Sequence, residues 1–199
     1  MNTYDLLKVE VHPDRAAMGA AAARRASNIL QETIAARGNA RIILASAPSQ
    51  NELLAGLTSS PDIDWSKVTI FHMDEYIGLT EHDVAAFRNY QRQHVLSRVH
   101  PAQFHGLRGE SGDPIAECQR YSRLLAEAPI DMVCMGIGEN GHIAFNCLSG
   151  NHLAHASTRG SLSRHRLGLA PAKMRPSKTR HRVASVSADA VWLAFHFST

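Results

Sequence analysis

A chain of 199 residues with 44% apolar side chains fits one domain, or a large domain with a tail, and no apolar run approaches the roughly 18–20 residues that cross a bilayer. Cys118, Cys134 and Cys147 lack metal-ligand spacing, so neither a structural zinc site nor any other metal is expected; a sparse, odd cysteine set and no cationic leader ahead of an apolar core suit a cytoplasmic protein. The net charge of +3 conceals a step: residues 1–147 carry 13 Lys/Arg against 17 Asp/Glu, whereas residues 148–199 carry 8 Lys/Arg against one acid, Asp189.

In chain order, Tyr4 to Val11 reads as a short opening strand. Asp14 to Ala36 is alanine-rich, with Met18, Ala22, Ile29, Leu30 and Ile34 on one broad face, and predicts an amphipathic helix ended near Gly38. Ala40 to Ala45 is a β-branched apolar run, hence a buried strand. Ser49 and Glu52 have capping-box spacing, which predicts a helix from Ser49 to about Leu57. Val68 to Met73 is the next strand, and Val84 to Val99 is helical in pattern. Phe104 opens a short strand before the Gly106–Gly112 loop, which reads as structural or as a lid. Asp113 or Pro114 starts another helix, to about Ala126, and Ile130 to Met135 is the last clear strand. Beyond Asn146 the periodicity fails; only Val183 to Phe197 regains apolar character.

This alternation predicts an α/β fold: a Rossmann-like, mainly parallel sheet with helices on both faces. Such sheets bind ligands at the carboxyl ends of their strands. Three of those ends carry polar chemistry. The first is the Ser46–Gln50 turn, where N–H groups at a helix start can hold a phosphate; Ser46, Ser49 and Gln50 are the candidate contacts. The second is Asp74-Glu75, two acids closing the run Phe71-His72-Met73. The third is Gly136-Ile137-Gly138-Glu139-Asn140-Gly141-His142, where Gly138 and Gly141 let the backbone approach a ligand and His142 is a side chain able to carry a proton near neutral pH. Adjacent strand residues face opposite ways, so Asp74 and Glu75 are not expected to share one role; a structural ion pair remains open for Glu75.

The segments His72-Met73-Asp74-Glu75-Tyr76-Ile77-Gly78-Leu79 and Gly136 to Asn146, about 60 residues apart, together resemble the glucosamine-6-phosphate deaminase family, which shares its fold with 6-phosphogluconolactonases. Ala40 to Glu52 is similar to that family's first sugar-phosphate loop. The resemblance spans residues 1 to about 146. It implies conversion of glucosamine 6-phosphate to fructose 6-phosphate and ammonia without a cofactor. His142 would carry protons in ring opening, and Asp74 would move a proton between adjacent carbons. Glu75 and Asn140 would complete the catalytic set.

The sequence departs from the family at four places. Ser46 to Gln50 replaces a glycine-, serine- and threonine-rich turn. Asn140 stands where deaminases usually have aspartate, and Cys147 where they have glutamate or aspartate. A phosphate-binding lysine has no counterpart in residues 148–199. The loss of resemblance at Cys147, together with the charge step, points to an altered 3′ end of the coding region. It divides the chain into a sugar-phosphate isomerase/deaminase-like α/β domain, 1–147, and a divergent, poorly ordered basic tail, 148–199, so that the fold's C-terminal part is incomplete. The expected partner is a small sugar phosphate, with no membrane. The tail lacks aromatic interleaving, which disfavours nucleic acid. Subunit number stays open, a homo-oligomer included. A lactonase on the same fold and a sugar-phosphate binder without turnover are the alternatives.

Overall fold

The computed structural model describes residues 2–4, 7–137, 144, 161–163 and 191–195. The opening segment is a pair of short antiparallel strands, β1 (Asn2–Tyr4) and β2 (Leu7–Val9), where one strand was expected. The first helix, α1 (Arg15–Arg37), starts where the Asp14 side chain accepts the Ala17 N–H at 2.7 Å. It ends at Gly38, whose φ of 80° is the left-handed conformation that only glycine adopts without cost.

Among the described residues, five strands form one all-parallel sheet in the order β6-β4-β3-β7-β9. They are β3 (Ala40–Leu44), β4 (Val68–His72), β6 (Gln103–His105), β7 (Met132–Gly136) and β9 (Val191–Phe195). Side-chain alternation along β3, β4 and β7 divides the apolar residues between two cores. Ile42, Leu44, Ile70, Met132 and Cys134 meet α1 and α2 (Asn51–Thr58) on one face. Ile43, Phe71, Val133 and Met135 meet Tyr121 and Leu125 of α4 (Pro114–Ala126) on the other. Each strand is thus buried on both sides, which is why the sequence shows continuous apolar runs rather than alternation.

Three expectations need correction. The capping box does not form: a 3-10 turn, Pro48–Gln50, precedes α2, neither cap position makes a side-chain capping bond, and Glu52 instead accepts from Arg15 at 2.8 and 3.1 Å. The helix expected from Val84 is only α3 (Phe87–Gln91), continued by a π-helical turn, Arg92–Leu96. Met132–Gly136 is not the last strand, since β9 lies inside the segment that the charge step set apart and pairs with β7 from Met132↔Val191 to Gly136↔Phe195.

β3 is the first strand of this sheet in the chain. The chain then places β4 and β6 on one side of it and β7 and β9 on the other, so the connection reverses beside β3, which is where open α/β sheets form a ligand crevice.

Candidate active site

The registers Leu44↔His72 and Leu44↔Cys134 bring the carboxyl ends of β4, β3 and β7 level with one another. The pairing runs on past the strands: the Met73 N–H bonds the Leu44 carbonyl at 3.1 Å and the Ala45 N–H bonds the Cys134 carbonyl at 2.9 Å. Ser46, Asp74 and Gly136 therefore emerge at one edge, as the topology predicts. Gly138, Asn140, Gly141 and His142 lie outside the described residues, so the meeting of Asp74 with His142 stays an expectation. Ala144, in the same turn, has a φ of 55° and packs against the core on the α4 face. A residue with a Cβ is disfavoured in this left-handed conformation, and such strain collects at functional turns.

Asp74 begins β5 (Asp74–Tyr76), which pairs in parallel with β8 (Ser161–Ser163) rather than extending β4. It is 6% exposed. Burial, then the charges of Asp74 and Glu75, push the Tyr76 phenol pKa upward.

Glu75 is fully buried and engaged. Its Oε1 accepts from the Tyr76 N–H at 3.0 Å and the Phe87 N–H at 2.8 Å, and its Oε2 accepts from the Arg88 N–H at 2.9 Å. The Arg88 Nε lies 3.5 Å from Oε2, an ion pair rather than a hydrogen bond. These donors satisfy the carboxylate at the start of a helix, where backbone N–H groups lack partners of their own. The geometry makes Glu75 the anchor of α3, the structural alternative that the sequence left open for it.

Around this pair the Gly106–Gly112 loop is fastened down. Arg88 donates to both carboxylate oxygens of Glu110, and the Gly78 N–H bonds the Gly109 carbonyl at 2.7 Å. A Cβ on Gly109 would lie 2.2 Å from the Tyr76 carbonyl oxygen, so the loop needs glycine there for its close approach. The adjoining Leu107 N–H donates to His72 Nε2 at 2.7 Å. Burial first, and the Arg88 charge second, lower the His72 pKa to about 3. The ring is therefore neutral and carries its proton on Nδ1, an atom with no hydrogen-bond partner among the described residues.

At the β3 end, Ser46 is buried, and its Oγ accepts from Gln91 Nε2 at 2.9 Å and lies 3.4 Å from the Phe87 carbonyl. Ser49 is half-buried and accepts from Gln50 Nε2 at 3.2 Å. Gln50 and Gln91 are both fully buried, yet each keeps a carbonyl oxygen with no partner among the described residues. Gln91 and His72 are the residues that sequence reasoning did not single out. His72 stood inside a quoted motif without a role, and Gln91 left no signal, being one polar residue in a helical pattern.

A family model described as glucosamine-6-phosphate isomerases/6-phosphogluconolactonase matches residues 13–193, extending well past Cys147, where the motif resemblance stops. The glucosamine-6-phosphate deaminase of Listeria monocytogenes serotype 4a (strain HCC23) is 35% identical over 126 residues, 63% of this chain and 53% of that protein. The chain thus spans about half the length of the curated relatives it matches. A solved monomeric glucosamine-6-phosphate deaminase superimposes with a TM-score of 0.63 at 24% identity, over 69% of this chain and 58% of the other. The 6-phosphogluconolactonase from Shewanella baltica OS155 does so with a TM-score of 0.59 at 26% identity, over 66% and 57%.

Proposed function

This chain belongs to the family of glucosamine-6-phosphate isomerases and 6-phosphogluconolactonases, and within it we propose that residues 1–147, with β8 and β9 of the later segment paired to their strands, form a sugar-phosphate unit that converts glucosamine 6-phosphate to fructose 6-phosphate and ammonia. The observation that carries this reading is Asp74: a nearly buried carboxylate at the carboxyl end of β4, level with the turn after β3. Its neighbour Glu75 is engaged by three backbone N–H groups and Arg88, which supports a positioning role for it.

In this scheme His142 carries the proton that passes from the anomeric hydroxyl to the ring oxygen as the sugar opens. Asp74 takes the proton from the amine-bearing carbon and returns it to the former aldehyde carbon, so that an enolamine becomes an imine. Water then adds to the imine carbon and ammonia leaves, giving the ketone. Oxidation state is conserved overall, so no cofactor is required. Ser46, Ser49 and Gln50, with the N–H groups at the start of α2, are the proposed contacts to the substrate's phosphate end.

The Shewanella lactonase likeness favours a second reading, hydrolysis of a phosphorylated sugar lactone. The segment from Met73 to Tyr76 supports the deaminase instead, because lactone hydrolysis requires no proton transfer between carbons. Three measurements on the full chain separate the readings: ammonia released from glucosamine 6-phosphate, acid released from 6-phosphogluconolactone, and thermal stabilisation by either ligand. Ammonia release coupled to solvent deuterium at the former aldehyde carbon supports the proposal. Stabilisation without either product would leave a binding protein, the outcome that Asn140 and Cys147 at carboxylate positions would explain.

A further inference from the structure

We propose that α3 is a strut that sets the spacing between the two strand ends facing the substrate, with Glu75 and Gln91 as positioning residues at its two ends. The inference rests on the preceding functional reading. Five residues, even with the π-helical turn that continues them, are too few to hold a helix by propensity, so the position of α3 is set by the groups it bonds and packs against.

The N-terminal grip is the Glu75 carboxylate, which takes the N–H groups of Phe87 and Arg88 at 2.8 and 2.9 Å and is covalently next to Asp74. The C-terminal grip is the Gln91 amide, whose Nε2 donates to the Ala45 carbonyl at 3.1 Å and to Ser46 Oγ at 2.9 Å. Tyr90 adds a second clamp, its hydroxyl lying 2.8 Å from the Ala47 carbonyl and 2.7 Å from Asn51 Oδ1.

The β3–β4 pairing carries as far as the Met73 N–H bond to Leu44. Past that point the two chains diverge, β4 into β5 and β3 into the 3-10 turn. Across the gap, α3 rejoins them through directional hydrogen bonds between buried groups, which tolerate little displacement. Asp74 must meet the reacting carbons while the β3 turn holds the other end of the same sugar, so a shift in this spacing misplaces the base without removing the binding groups.

The test compares Glu75→Gln and Gln91→Met with the unaltered chain, reading amide hydrogen exchange and the kinetics on glucosamine 6-phosphate. Leu125→Ala, in the core on the α4 face, serves as a control for general loss of stability. The expected result is crosswise. Glu75→Gln speeds exchange at residues 45–50 about tenfold or more, Gln91→Met does the same at 74–76, and both exceed the change that Leu125→Ala causes there. Each positioning variant lowers kcat roughly 10- to 100-fold while ligand affinity moves less than about threefold. Exchange changes confined to the end that was altered, or matched by Leu125→Ala, overturn the strut; should Glu75→Gln not fold, Gln91→Met alone decides. An unaltered chain that releases no ammonia but shows the crosswise exchange keeps the strut and refutes the functional reading, so the two failures are distinguishable.

Discussion

The carboxyl ends of β3 and β4 lie side by side, both bury polar side chains, and the fold treats them in opposite ways. At the β4 end the Glu75 charge has three N–H donors and a guanidinium. At the β3 end Gln50 and Gln91 are equally buried, yet each retains a carbonyl oxygen unpartnered among the described residues. The difference follows from cost. An uncompensated buried carboxylate would be destabilising by several kcal/mol, whereas an unpaired amide oxygen costs about 1–3 kcal/mol, which a domain can carry where a ligand hydroxyl or water completes the bond. Among the described residues the fold thus completes the carboxylate at the β4 end and tolerates orphaned neutral atoms at both, His72 Nδ1 on the β4 side and the two amide oxygens on the β3 side.

The sharpest break in that comparison is Asp74→Asn, which keeps the shape of the β4 end and removes its proton acceptor. Turnover is expected to fall about 10²- to 10⁴-fold with sugar-phosphate affinity largely kept; unchanged deuterium exchange at the carbon alpha to the aldehyde would remove Asp74 from the mechanism.

Next in size is acid sensitivity, which falls on the β4 side. His72 has its pKa lowered from 6.5 to about 3 by burial and by Arg88. The folded protein holds it neutral while the unfolded chain binds the proton. Its contribution is therefore complete above about pH 6.5 and is lost as pH falls toward 3, at up to ~1.4 kcal/mol per pH unit. Denaturant midpoints measured from pH 7 to pH 4 should drop along that slope, and His72→Gln should flatten it.

On the β3 side, Gln50→Leu removes an orphaned carbonyl. Thermal stability is expected to hold or rise by up to about 1 kcal/mol, while sugar-phosphate affinity falls roughly fivefold. Loss of stability with no change in affinity would mean that no ligand group meets this oxygen. The smallest effect concerns the third strand end: Ala144→Gly should relieve the left-handed backbone and raise the unfolding free energy by about 0.5–1 kcal/mol, partly offset by added chain entropy.

How legible each part was in the sequence follows the reach of the forces behind it. α1 was readable to within a residue because Asp14 and Gly38 cap it locally. β3, β4 and β7 were readable because burial on both faces writes itself as an unbroken apolar run. The level alignment of Ser46, Asp74 and Gly136 followed from the alternation of strands and helices. Where local rules were applied without their tertiary competitors they failed: the Ser49–Glu52 capping box lost Glu52 to Arg15, 37 residues away in sequence.

By itself the sequence determined a mainly parallel α/β sheet, the polar residues at its strand ends and the family. Those properties rest on periodicity and on the order of elements, which neighbouring residues carry. Strand alternation already set the two adjacent acids apart, but tertiary structure alone decided that Glu75 is locked onto α3 and that a glutamine with no sequence signal reaches across to Ser46. A hydrogen bond between groups 45 residues apart depends on where the backbone brings donor and acceptor, which no local pattern records.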